Sequence, residues 1–200
     1  MTLIVTEKIL GKAGSQACLS ALSALPKFRM LNTDPDGSMA KALGVSEHYL
    51  CSGYYPGVEP GKEIRPFVYC QDVSRLTFED DSFDVVVTED VLEHVRKSDN
   101  AFTEIYRVLK PGGCHVFTIP FFFDKKTLYR VEVIGEEDKV LLPPEYHYDA
   151  LRGDILSYRT FGIDLYELLD LVGFRTEVHF ASFFDHRFGI YDSFVFCSVK

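Results

Sequence analysis

The chain has 200 residues and a net charge of −9, from 30 acidic and 21 basic side chains. Hydrophobic residues make up 46% and charged residues 26% of it, which favours a folded domain over a disordered chain. The sequence has no apolar run of about 18 residues, which argues against a membrane-spanning helix. The dispersed, outnumbered bases argue against nucleic acid as a partner.

The N-terminal segment lacks a signal-peptide pattern, because its apolar stretch is short and contains Glu7. We therefore expect a cytoplasmic protein. The five cysteines form no C-x-x-C pair, which excludes a zinc ribbon or a thioredoxin motif. We interpret each cysteine as a small buried side chain in a reducing compartment.

The first half of the chain alternates between helical and strand patterns. Apolar residues at helical spacing precede Pro26, and a run of turn residues at 32–37 precedes a short helix that Gly44 would end. The predicted elements are a helix over 13–25, a strand over 28–31, a helix over 38–43, and strands over 49–51, 66–70 and 83–87.

The second half begins with the same alternation and then departs from it. Helices are predicted over 90–95, 98–110 and 163–172, and a strand over 114–119. Residues 127–134 and 139–142 read as a β-hairpin. The strands 174–180 and 194–199 have no helical pattern between them, so they should pair antiparallel. The alternation predicts an α/β domain with a mostly parallel sheet that ends in an antiparallel hairpin.

Three segments carry a resemblance to a known family. They are DVSRLTFEDDSFDVVV at 72–87, VLEHV at 91–95 and EIYRVLKPGG at 104–113. In order and spacing they resemble the type 11 group of class I S-adenosylmethionine-dependent methyltransferases. The resemblance implies a Rossmann-like sheet of seven strands, with a β-hairpin insertion after strand 5. It also implies S-adenosylmethionine as cofactor, and methyl transfer to an O or N atom of a small-molecule acceptor.

On this interpretation, residues 1–200 form a single methyltransferase-like domain. Residues 1–26 would be an N-terminal helical region, and residues 121–150 an inserted hairpin that caps the acceptor side. A Phe-rich exposed patch would allow the domain to form a homodimer.

The resemblance places cofactor contacts after four successive strands. In open α/β sheets, ligands bind outside the carboxyl ends of the strands. Asp72 stands where the family binds the adenine amino group, although it would equally serve as a turn residue that bonds its own backbone. The implied cofactor-binding residues are Asn32, Asp34, Gly37, Ser52, Gly53, Asp72, Val73 and Glu89.

The first loop departs from the family pattern. The family has an acidic residue followed by G-x-G-x-G, whereas this chain reads NTDPDGS at 32–38, with Asp34 and Asp36 near expected glycines. Glycines let backbone amides approach a ligand, and the added carboxylates would repel the methionine carboxylate. After the second strand, Ser52 stands in place of the carboxylate that usually accepts the ribose hydroxyls.

Two histidines are candidate general bases for an acceptor that must lose a proton. His147 lies in the acceptor region, and His94 belongs to the VLEHV segment. Each has a structural alternative: His147 as a loop residue that holds the hairpin, and His94 as a packing residue. His147 and Asp149 alone are too few for a metal site, so we predict no metal. Asp90 and Glu93 have the spacing of a helix capping box.

Two other functions stay open at this stage. The degenerate loop over 32–38 favours a non-catalytic binding or interaction protein that keeps the fold and has lost the cofactor. A nicotinamide oxidoreductase is disfavoured, because no G-x-G-x-x-G follows any predicted strand.

Overall fold

A computed structural model describes residues 27–149, 152–185 and 190–200, and side chains throughout these ranges except those of 181–185 and 190–193. The helix predicted over 13–25 therefore lies outside the described residues.

Four helices occur in the described ranges. They are α1 (Ser38–Leu43), a 3-10 helix (Leu92–His94), α2 (Ser98–Val108) and α3 (Leu165–Val172). Two predicted helix ends are confirmed, because Gly44 and Gly173 follow α1 and α3 with φ of 67° and 110°, which side chains disfavour. No described helix has the length and apolar character needed to cross a membrane.

Eight strands form the main sheet in the order β13-β14-β6-β5-β1-β2-β4-β3. The strands β1, β2, β4, β5 and β6 run parallel, and β14 and β13 add antiparallel at one edge, as predicted. The bounds are β1 Met30–Asn32, β2 Tyr49–Gly53, β3 Glu63–Arg65, β4 Val68–Cys70, β5 Phe83–Glu89, β6 Leu109–Thr118, β13 Arg175–Asp185 and β14 Ile190–Val199.

The sheet has one strand more than the seven expected. The additional strand, β3, pairs antiparallel with β4 at the far edge, and all three of its residues are exposed. It lacks the apolar signal of a strand because neither of its faces joins the core.

The central strand β5 explains the apolar run in the sequence. Val85 and Val87 pack into the apolar cluster on one face of the sheet, whereas Phe83 and Val86 pack into the cluster on the other face. A parallel strand that is covered on both faces needs apolar residues at every position.

The segment between β6 and α3 forms three small sheets outside the main one. The predicted hairpin is confirmed as β8 (Val131–Ile134) with β9 (Glu137–Val140), and β7 (Leu128–Tyr129) pairs with β12 (Arg159–Thr160). A second hairpin joins β10 (Glu145–Asp149) to β11 (Gly153–Ser157) and was not predicted. This hairpin carries His147 towards the end of the sheet.

Glu104 and Arg107 of the EIYRVLKPGG segment make contacts that stabilise the fold. Arg107 on α2 donates to the Glu104 carboxylate at 2.8 Å and to the carbonyls of Leu76 and Phe78 at 3.0 and 2.9 Å. The Leu76 amide donates to the same carboxylate at 2.9 Å. This network ties the loop before β5 to α2.

We predict that Arg107→Met lowers the free energy of unfolding by about 2–3 kcal/mol, because two carbonyls and a half-buried carboxylate lose their donor. Asp80→Asn removes only an exposed partner of Arg107 and should cost less than about 1 kcal/mol. Urea unfolding followed by circular dichroism measures both. Equal losses for the two variants would contradict this assignment.

Candidate functional site

A cavity of about 1200 Å³ opens where the carboxyl ends of the parallel strands meet. Of the eight predicted cofactor residues, seven line it: Asp34, Gly37, Ser52, Gly53, Asp72, Val73 and Glu89. The two candidate bases, His94 and His147, line it as well. The sheet topology thus brings residues far apart in sequence to one place, as the rule for open α/β sheets predicts.

Asn32 is the exception, because it is fully buried and is not among the residues that line the cavity. Its side-chain amide donates to the Tyr49 hydroxyl at 2.8 Å and to the Asp34 carbonyl at 3.3 Å. Its side-chain oxygen accepts from the Asp34 amide at 3.1 Å. The structure therefore supports a positioning role for Asn32, which fixes the first loop.

The single glycine of the first loop, Gly37, is required by packing within the loop itself. A Cβ placed on Gly37 would lie 2.0 Å from an Asp34 carboxylate oxygen, so this carboxylate occupies the space beside Gly37. Glycine is needed here for internal packing of the loop, where the sequence had suggested an open approach for a ligand. Asp36 turns to Arg65 of β3 at 2.7 Å, which offsets its charge.

Asp72 combines both roles that the sequence left open. Its Oδ1 accepts from the Ser74 amide at 2.9 Å and from the Ser74 hydroxyl at 2.7 Å, which makes it a turn residue. Its Oδ2 has no hydrogen-bond partner among the described residues, and Asp72 lines the cavity. One oxygen holds the turn, and the other is available to a ligand.

Glu89 and Asp90 bring further negative charge to the end of β5. Burial raises the pKa of Glu89, and the nearby charges of Asp34 and then Asp90 raise it further. Asp90 adopts a left-handed φ of 48°, which is uncommon for a residue with a side chain.

The capping box predicted for Asp90 and Glu93 is wrong. Val91 occupies the N-cap of the 3-10 helix, and no side chain caps it. Glu93 is instead fully buried, and neither carboxylate oxygen has a hydrogen-bond partner among the described residues. Burial raises its pKa to about 8, because the charged form is poorly solvated there.

Glu93 lies against the two histidines. His147 Nδ1 is 3.1 Å from His94 Nε2, and these nitrogens lie 3.6 and 3.7 Å from Glu93 Oε1. The Leu156 carbonyl on β11 accepts from His94 Nδ1 at 2.9 Å, and burial lowers the pKa of His94. We call Glu93, His94 and His147 the histidine–glutamate cluster.

Arg159 holds the segment that carries this cluster. Its buried guanidinium donates to the carbonyls of Leu92, Val95 and Arg96 at 3.3, 2.6 and 3.0 Å. The Tyr158 amide donates to the Glu93 carbonyl at 2.9 Å. These contacts join the segment between β6 and α3 to the residues that follow β5. The sequence offered no signal for them, because the partners are backbone carbonyls about 65 residues away.

We predict that Asp34→Asn lowers the pKa of Glu89, because it removes the largest charge contribution to the raised value. Asp90→Asn should lower it less, and burial should keep the pKa above its ordinary range in both variants. Carboxyl ¹³C chemical shifts titrated against pH measure this, with Glu89→Gln to assign the signal. An unchanged pKa in Asp34→Asn would contradict the geometry of the first loop.

Comparisons with known proteins give one family. The family model described as "Methyltransferase domain" matches residues 14–117, just over half of the chain. A demethylmenaquinone methyltransferase of Streptomyces avermitilis is 38% identical over 74 residues, which cover 34% of this chain and 32% of the relative. A mouse mitochondrial 2-methoxy-6-polyprenyl-1,4-benzoquinol methylase is 31% identical over 131 residues, which cover 61% of this chain and 40% of the relative.

The chain thus spans about a third of the length of the curated relatives it matches. Among solved structures, an S-adenosylmethionine-dependent methyltransferase from Methanosarcina mazei superposes with a TM-score of 0.53. It is 18% identical, over 89% of this chain and 95% of that one, and it supports the fold. The family match and the fold agree with the three sequence segments, and the chain belongs to the type 11 family of class I methyltransferase domains.

Proposed function

We propose that this chain binds S-adenosylmethionine in the cavity and transfers its methyl group to an O or N atom of a small-molecule acceptor. The observation that carries the proposal is the convergence of seven predicted cofactor residues on one cavity. The cavity exceeds the roughly 300–1,000 Å³ of ordinary small-molecule sites, so a cofactor and an acceptor can share it.

The residues present fit the charge of this cofactor. S-adenosylmethionine carries two positive groups, a sulfonium and an ammonium, against one carboxylate and is cationic overall, and Asp34, Glu89 and Asp90 line the cavity at the ends of β1 and β5. Asp72 Oδ2 and Ser52 are the acceptors that remain for the adenosine part. When bound, the cofactor supplies an activated methyl group.

The chain itself then has to orient the cofactor and the acceptor and to shield them from water. Val73 and Gly53 bring backbone close to the adenosine part, and the loop fixed by Asn32 lies at the methionine end. His147 and His94 stand on the acceptor side, where either can accept a proton from the acceptor atom. The proposed reaction needs no covalent intermediate with the protein.

Aromatic side chains line the acceptor side of the cavity, and they suit a flat or apolar acceptor. They are Phe121, Tyr148, Tyr158 and Phe194, whereas Tyr54 follows Gly53 and lines the adenosine side. Two of the relatives are named for a demethylmenaquinone and a benzoquinol, which are ring compounds. We therefore include ring compounds among the candidate acceptors. A cytoplasmic location, a homodimer and the absence of nucleic-acid partners stay predictions from the sequence.

We predict that S-adenosylhomocysteine binds the chain and that Asp72→Asn weakens this binding about tenfold. The asparagine keeps the oxygen that accepts from Ser74, but it replaces the second oxygen by a donor. Isothermal titration calorimetry measures the affinities, and Asp170→Asn on α3 is the matched control with the same charge change far from the cavity. The control should bind as the unaltered chain does.

The second candidate is a protein of the same fold that has lost the cofactor. The position of the Asp34 carboxylate beside Gly37 favours it, because a family member would keep that space for ligand. This candidate predicts no heat and no thermal shift with millimolar S-adenosylhomocysteine, and binding that appears only in Asp34→Gly. That outcome would overturn the methyltransferase proposal.

A further inference from the structure

We propose that Glu93, His94 and His147 form a binding site for one divalent transition-metal ion, with Zn²⁺ as the ion that their donor set and spacing fit best. Two imidazoles and one carboxylate are a known ligand set for catalytic zinc, in which a fourth position is left to water or substrate. The proposal stands apart from methyl transfer, because an ion can bind with or without the cofactor.

The spacing of the three donor atoms fits one ion. The atoms are separated by 3.1, 3.6 and 3.7 Å, and a circle through them has a radius of about 2.0 Å. Bonds from zinc to histidine nitrogen and carboxylate oxygen are about 2.0–2.2 Å. An ion at the centre of the triangle, or slightly above it, therefore reaches all three ligands without rearrangement of the chain.

The outward nitrogens of both histidines are already engaged. His94 Nδ1 donates to the Leu156 carbonyl, so His94 Nε2 carries the lone pair. Glu145 Oε1 lies 3.3 Å from His147 Nε2, and the other oxygen of Glu145 is paired with Arg130. Glu145 is thereby held as an acceptor, and the lone pair of His147 falls on Nδ1. Histidine ligands of metals are commonly oriented in this way by a carbonyl or a carboxylate.

With both imidazoles neutral and in these tautomers, two lone pairs face each other across 3.1 Å. A cation between them removes the repulsion, and it also stabilises the charged form of the adjacent Glu93 carboxylate, which burial otherwise disfavours. That carboxylate is fully buried and has no hydrogen-bond partner among the described residues. A buried polar group of this kind costs free energy unless something satisfies it, and an ion bound to its oxygen does so.

The site opens on the cavity, because all three residues line it. An ion there presents its remaining position to the cavity and so binds water or an oxygen donor of a small molecule. This last step rests on the proposed function, and it narrows the acceptor to molecules with a hydroxyl, enol or carboxylate oxygen. An ion also uses the lone pairs of both histidines, so they then act as ligands and not as proton acceptors.

The test is Zn²⁺ binding by the full chain, without cofactor, after chelator treatment and removal of any affinity tag. Titration calorimetry and metal analysis after dialysis should give one Zn²⁺ per chain. Mg²⁺ should bind far more weakly, because it prefers oxygen ligands. Zn²⁺ should also raise the melting temperature, since it binds only the folded cluster.

Glu93→Gln and His147→Ala should each weaken Zn²⁺ binding at least about 100-fold and abolish the melting shift. Glu93→Gln is nearly isosteric and replaces a buried carboxyl group by a neutral amide, so it should still fold, which circular dichroism checks. His179→Ala is the matched control, because His179 lies beside Glu177 at 3.7 Å on β13, away from the cluster. The control should bind Zn²⁺ as the unaltered chain does.

Three outcomes would overturn the proposal: no Zn²⁺ bound at stoichiometric concentrations, unchanged affinity in both cluster variants, or equal affinity for Mg²⁺. The first would leave a proton shared between the histidines as the cation. Failure of the cofactor proposal is distinguishable, since a chain that binds Zn²⁺ but no S-adenosylhomocysteine overturns only the methyltransferase function.

Discussion

The geometry of the site depends on the buried guanidinium of Arg159. It donates to three carbonyls of residues 92–96, and so joins the segment between β6 and α3 to the residues that follow β5. Burial lowers the pKa of Arg159, but a guanidinium stays charged in proteins. Its five N–H donors can therefore bind several carbonyls at once. Because Glu93 and His94 lie between those carbonyls, the position of the histidine–glutamate cluster follows from this one contact. His147 then arrives from β10, which pairs with the strand that carries Leu156.

This arrangement is energetically unfavourable for the Glu93 side chain. A capping glutamate would bond backbone amides at the surface, whereas here the carboxylate is buried with no hydrogen bond among the described residues. Arg159 lowers its pKa, but burial dominates and the pKa is raised. Folded chains keep such unfavourable local choices mainly where function requires them. Arg107 differs from Glu93, because it has hydrogen-bond partners in Glu104 and in the carbonyls of Leu76 and Phe78. These bonds stabilise the fold.

The sequence predicted the parts of the fold that apolar patterns encode. The run over 83–87 and the paired strands near the C-terminus were correct, because burial on both faces or a missing crossover helix leaves a local signal. The exposed strand β3 and the half-buried strands β10 and β11 were missed, since they contribute little apolar surface to the main core. The strand-end residues were found through topology, but the cluster was not. Whether Glu93 caps a helix or meets His147, 54 residues later, is decided by tertiary contacts that spacing does not reveal.

The acidic residues of the cavity affect both the binding of a cationic cofactor and the rate of methyl transfer. Asp34 and Asp36 stand near the expected glycines. Arg65 neutralises the charge of Asp36 in an ion pair, whereas the charge of Asp34 raises the pKa of Glu89. Carboxylates beside a sulfonium stabilise its positive charge before the methyl group leaves, and that charge is spread or lost in the transition state. Interactions stronger in the ground state than in the transition state favour binding over rate. The first loop should therefore slow methyl transfer relative to a member with the glycine loop, while its effect on affinity is the balance between attraction of the sulfonium and repulsion of the methionine carboxylate.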